Sequence, residues 1–224
     1  MYQKYERVMC KTLLPRLMTF ILLLSAQTAI AQKGQFLTAD DFYAQSFNGE
    51  FQAELLWLNK SLLDQAEQIL GHRFRGMRTR FKAQVQVRGQ ETVSRTAWIF
   101  EEIGKIHPIT IGVVVEGRGQ EPGEGVKASD QIVAVKILEF RESRGGEVRY
   151  RMFTDQFSTV ALQAGGLPKL DQSIDGITGA TLSVRAVKKV ATLALFFHRQ
   201  TSFSAFSKTT VLKKSDEFSG SIAE

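Results

Sequence analysis

The sequence predicts an α+β fold in which an antiparallel sheet of about four to six strands packs with helices. Two observations carry this. Runs with a two-residue apolar period follow one another from residue 80 to residue 140, and segments with a 3.6-residue period lie on either side of them. The strand-like runs are joined by short or polar connections. That suits antiparallel neighbours, because parallel ones need a crossover of a dozen or more residues. At 224 residues, 43% of them apolar, the chain has material for one or two packed cores. Its single cysteine, Cys10, excludes an intrachain disulfide framework and any site built from several thiolates.

The first 31 residues read as a secretory signal peptide. Lys4, Arg7, Lys11 and Arg16 precede an uncharged run from Leu17 to Ala26, and Ala29-Ile30-Ala31 supplies small residues at the cleavage position. The apolar run is shorter than the roughly 20 residues a membrane span requires. A retained N-terminal anchor is the alternative. Cys10 lies before the apolar run, where a lipid-attachment cysteine would follow it. Cleavage after Ala31 leaves 193 residues without cysteine, which suits an oxidising, periplasmic setting. It also lowers the formal charge from +6 to +3, since four basic residues and one acidic residue leave together. The remaining Lys and Arg are scattered among carboxylates, with no basic stripe interleaved with aromatics, so no nucleic-acid partner is expected.

Residues 32–79 form an N-terminal helical segment. The pattern from Thr38 to Leu70 predicts two helices divided at Asn48-Gly49, with Asp40 or Asp41 in the first turn and Gly71 closing the second. Trp57 is then a core aromatic on a helix, and Trp98 one on a strand. The main domain spans 80–200. Phe81, Ala83, Val85 and Val87 alternate with polar residues and predict a strand. Thr92 to Phe100, Ile109 to Val115 and Ile132 to Phe140 predict three more. Residues 117–130 read as a long Gly-rich hairpin loop. A Gly-bearing turn covers 142–146, a helix lies near Thr154 to Leu162, and Gly165 to Pro168 break the chain. A last helix starts near Thr181 and runs to Phe197, and its Arg185, Lys188 and Lys189 exclude a membrane span. Residues 201–224 read as a loosely attached polar tail. The histidines His72, His107 and His198 are far apart and show no metal-ligand spacing.

Chemistry concentrates in Asp175-Gly176-Ile177-Thr178-Gly179-Ala180-Thr181-Leu182-Ser183, just before the last helix. Small residues there expose backbone N–H groups at a helix N-terminus, which attracts phosphate through unsatisfied donors and the positive end of the macrodipole. An ordinary reading competes, with Thr181 or Ser183 as the N-cap residue. A nucleotide P-loop does not fit, because no Gly-Lys-Ser/Thr follows the glycines.

The stretch Asp175 to Thr181 resembles the complete flavinylation motif of the FMN-binding domain family, which includes subunits of redox-driven ion pumps. Glu101 to Lys105 followed by Ile109 to Val113 is similar to that family's strand, turn and strand. Glu142 to Gly146, with Phe153, Gln156 and Phe157, is similar to its Glu-Thr-x-Gly-x-Gly turn and the aromatic helix after it, although the Gly-x-Gly is altered here to Arg144-Gly145-Gly146. The resemblance covers about residues 80–200. It implies FMN joined by a phosphoester to Thr181 through a dedicated flavin transferase, with Asp175 serving transferase recognition, Thr178 a hydrogen bond within the loop, Gly179 and Ala180 close approach, and Gly176 a further cofactor-binding position. Ser183, Glu142, Ser143 and Phe157 follow as cofactor neighbours, the last three equally readable as turn or core residues. The function implied is an exported electron-transfer flavoprotein, relaying electrons from a membrane-bound donor to a periplasmic acceptor. A flavin-dependent reductase of a small substrate or metal chelate, and a non-redox binding module, are the alternatives. No catalytic nucleophile is expected, since no base and orienting partner accompany Thr181.

Overall fold

A computed structural model describes residues 34–88, 91–118 and 129–205. Six antiparallel strands form one sheet in the order β1-β6-β5-β4-β3-β2: β1 (Gly34–Gln35), β2 (Gln52–Trp57), β3 (Arg78–Arg88), β4 (Glu91–Ile103), β5 (Pro108–Arg118) and β6 (Ser129–Phe140). The helices are α1 (Ala39–Ser46), α2 (Lys60–Leu70), α3 (Arg151–Thr154) and α4 (Thr181–His198). The α+β class with an antiparallel sheet is as the sequence predicts.

Helix α4 is the organising element, with 13 of its 18 residues buried, so it belongs to the core rather than to a half-solvated surface. It lies on β4, β5 and β6. Val187, Val190, Ala191, Leu195 and Phe197 are buried in the same cluster as Trp98, Ile111, Val113 and Ile132. Trp98 stacks on Phe81 at 4.4 Å between ring centroids. Each large apolar side chain buried this way contributes about 1.5–3 kcal/mol. The opposite face of the sheet carries α1, where Phe42 packs with Ala97, Val114 and Leu138. Gly112 permits this contact, since a Cβ there would sit 2.6 Å from the Phe42 ring and 2.8 Å from Leu138. The cap of α1 is Thr38, whose Oγ1 accepts from the Asp41 N–H at 3.1 Å and donates to the Asp41 carboxylate at 2.6 Å.

Four local expectations change. Both helices predicted between Thr38 and Leu70 are present, with Gly49 and Gly71 at positive φ where the chain turns. Between them, however, Gln52–Trp57 is an edge strand paired with β3. Its Leu56 points into the core, while Leu55 and Trp57 point out; Trp57 is 65% exposed and lies under the Arg78 guanidinium, so it is neither helical nor a core residue. The helix predicted over 154–162 is shorter and earlier. Helix α3 passes into a 3-10 turn at Asp155–Phe157, and Thr159, at φ 68°, then reverses the chain. The backbone of 159–160 bonds to Ile132 on β6, a sheet-edge alternative that outcompetes another helical turn. The tail is not loose at its start: Thr201, Phe203 and Ser204 are buried, with Phe203 edge-on to Phe81. The strands β5 and β6 extend to Arg118 and from Ser129. The rest of the expected hairpin loop, the signal peptide with Cys10, and residues 206–224 lie outside the described residues.

Candidate functional site at the N-terminus of α4

The chain reaches α4 through an exposed loop anchored by a few apolar residues. Ile174 and Ala180 are buried and Ile177 is half-buried, whereas Asp175, Gly176, Thr178, Gly179 and Thr181 are exposed. Gly179 adopts φ 82°, and the Ala180 N–H donates to the Ile177 carbonyl at 2.9 Å, closing a turn. A glycine is favoured at that backbone angle. The residue preceding the helix is Ala180, and no side chain caps the first turn. Thr181 is the first helical residue and Ser183 the third, so neither is the N-cap. The helix N-terminus is therefore left with N–H donors that its own sequence does not satisfy.

Three segments distant in sequence meet here. The Asp175 N–H donates to Gln156 Oε1 at 2.7 Å, tying the motif loop to the 3-10 turn after α3. Gly145, at φ 86°, lies so close to α4 that a Cβ would come within 2.6 Å of Ser183 Oγ and 3.4 Å of Ala180. The 142–146 turn is thus seated on the first turn of the helix through Gly145, in spite of the altered Gly-x-Gly. Ser183 is buried against that turn.

Glu142 faces the other way. Its Oε1 accepts from the backbone N–H groups of Lys105, Ile106 and His107 at 2.6, 2.5 and 2.8 Å, closing the β4–β5 turn. Burial pushes its pKa up, but the three N–H donors and nearby His107 outweigh this and hold it below the usual carboxylate range. Phe157 is fully buried, edge-on to Phe153 at 5.5 Å, and Ser143 is exposed. Of the sequence-expected set, Asp175, Gly176, Thr178, Gly179, Ala180, Thr181 and Ser183 share one loop and helix start. Glu142 and Phe157 serve the scaffold under it.

Thr181 also opens a groove of about 550 Å³ that runs along α4 to Thr192, bounded by Ile69 of α2 and by Pro168 and Leu170 of the preceding loop. That volume lies within the range of small-molecule sites. The groove was not readable in the sequence, because its three walls come from separate segments. Beside it, Glu102, only 3% exposed, accepts from Lys189 Nζ at 3.0 Å and pairs with His72 Nε2 at 2.7 Å, joining β4 and α4 to the turn that follows α2.

Comparison with curated proteins and with solved structures gives no match. A family profile does match. Residues 125–195, which take in β6, the 142–146 turn, the motif and most of α4, match the model of the FMN-binding domain, the family that the Asp175–Thr181 motif resembles.

Proposed function

We propose that this protein is an exported electron-transfer flavoprotein that carries FMN phosphoester-linked to Thr181, relaying electrons from a membrane-bound donor to a periplasmic acceptor. The observation that carries the reading is the full motif at 175–181 ending on an exposed threonine, at the start of an 18-residue helix with no side-chain cap. An FMN phosphate esterified there retains negative charge. That charge suits the open N–H donors and the positive end of the helix dipole. Arg185 stands one turn further along the same helix face.

The isoalloxazine supplies the redox chemistry when bound, and the chain's residues hold and orient it. Gly145 and Gly179 keep the approach to Thr181 low. Gln156 fixes the loop through the Asp175 N–H, and Glu142 fixes the turn that leads into Gly145. Asp175 is exposed, which suits recognition by a flavin transferase. Among the described residues no helix is long and apolar enough to cross a membrane. The export reading rests on the charge and apolar pattern of residues 1–31.

The test is the intact mass of the chain co-expressed with a flavin transferase. The expected outcome is a gain equal to FMN minus water, mapped to Thr181 and absent in Thr181→Val. An unmodified chain, beside a control flavoprotein labelled in the same cells, overturns the covalent assignment.

A further inference from the structure

We propose that the groove along α4 is a binding site for a small organic dianion with an apolar body, distinct from the flavin attachment at its end. Four cations line it: Lys169 from the preceding loop, and Arg185, Lys188 and Lys189 from α4. Among the described residues no Asp or Glu lines the groove. Lys189 is compensated by Glu102 at 3.0 Å. The other three have no ion-pair partner among the described residues.

This arrangement runs against what a solvated helix face prefers. Arg185 lies three residues from Lys188 and four from Lys189, spacings at which like charges repel on a helix. Arg185 lies one turn from Thr181 on α4, whereas Lys188 lies two turns from it and Lys169 belongs to the preceding loop. The surface between them is apolar, provided by Ile69, Leu170 and Val184. A concave site of about 550 Å³ with cations and an apolar lining fits an organic acid better than it fits a flat protein surface. The two free lysines, on different segments, select for two negative groups on one molecule.

The experiment is calorimetric titration of the flavin-loaded chain, and of the Thr181→Val chain, with terephthalate, benzoate, benzamide and inorganic phosphate. Affinity is expected to fall in the order terephthalate, benzoate, benzamide, with phosphate failing to compete for want of an apolar body. Lys188→Ala and Lys169→Ala should each weaken terephthalate about three- to fivefold, the range for partly exposed ion pairs, while Lys188→Arg retains it. Both lysines are surface residues, so the variants are expected to fold. Binding of benzamide as tight as terephthalate, or unchanged affinity in both alanine variants, overturns the proposal. So does binding confined to Thr181→Val, since the groove would then be filled by the flavin itself. Loss of flavin mass with retained terephthalate binding sinks the covalent assignment alone.

Discussion

The two ends of helix α4 are built on opposite plans. At the N-terminus, Ala180 offers no side-chain cap, Thr181 is exposed, and the loop before it is held by one side-chain bond from Gln156. At the C-terminus, His198 is fully buried. Its Nδ1 pairs with Thr96 Oγ1 at 2.7 Å, and its Nε2 faces Asp130 Oδ1 at 3.3 Å. Trp98 donates to the same Thr96 oxygen at 2.8 Å, and Asp130 also accepts from Ser204 Oγ and the Ala205 N–H, each at 2.7 Å. Thr201 Oγ1 donates to the His198 carbonyl at 2.7 Å, satisfying one of the carbonyls that a helix end leaves open. One end leaves donors available to a ligand and the other leaves almost none. The rigid end fixes the helix whose open end presents the site.

The largest effect expected to test this contrast comes from Asp130→Ala. It leaves His198 and Ser204 buried without their acceptor, and should cost about 3–5 kcal/mol in urea unfolding. Flavin mass on the folded fraction should be unchanged. A loss under 1 kcal/mol would mean that the C-terminal network is not what anchors α4. Next is Gly145→Ala, which meets Ser183 Oγ and requires a left-handed backbone angle that alanine resists. About 1–3 kcal/mol of destabilisation is expected, together with reduced flavin incorporation. Wild-type stability with full incorporation would show that the 142–146 turn is not seated on the helix start.

Acid titration separates the regions without substitution. Asp130 is pushed up by burial but pulled lower still by His198, Ser204 and Ala205, and Glu116 is likewise held low by Arg95 and Arg118 against its burial. With Glu142, these are carboxylates whose folded pKa lies below the unfolded value. Their stabilisation is complete above about pH 4, and is lost as pH falls from there through the folded values. Chemical denaturation from pH 7 down to pH 2 should show that decline, with a shallower slope in Asp130→Asn. The smallest effect belongs to Thr181→Val, expected to stay within about 0.5 kcal/mol of wild type because the residue is exposed and makes no cap. A larger loss would mean that Thr181 supports the fold and is not free for modification.

What the sequence made legible follows from how each part is encoded. The motif end of α4 lies in consecutive residues, Asp175 to Thr181, so it could be read directly. Strands β3 to β6 showed their two-residue period because they are long. Strand β2 did not, since Leu55 and Leu56 merge with Leu58, Leu62 and Leu63 into an apparent helical period, although they belong to a different element. The role of Glu142 was hidden because a carboxylate in a turn reads the same whether it faces a ligand or closes a neighbouring hairpin. The C-terminal network draws on residues 96, 98, 130, 198 and 204, and no local pattern joins them. His198 therefore showed nothing in sequence, and only the sheet register brings Thr96 under the helix end.

That long reach in sequence has a consequence for biosynthesis. Ser94 bonds to the Phe203 carbonyl and Asp130 to the Ala205 N–H, so these contacts cannot form while the last of these residues is still inside the ribosome. Contacts spanning about a hundred positions form slowly compared with local ones. The nascent chain therefore completes its fold only after synthesis has passed residue 205, and a chain cut short before that point lacks the partners that hold its central helix in place.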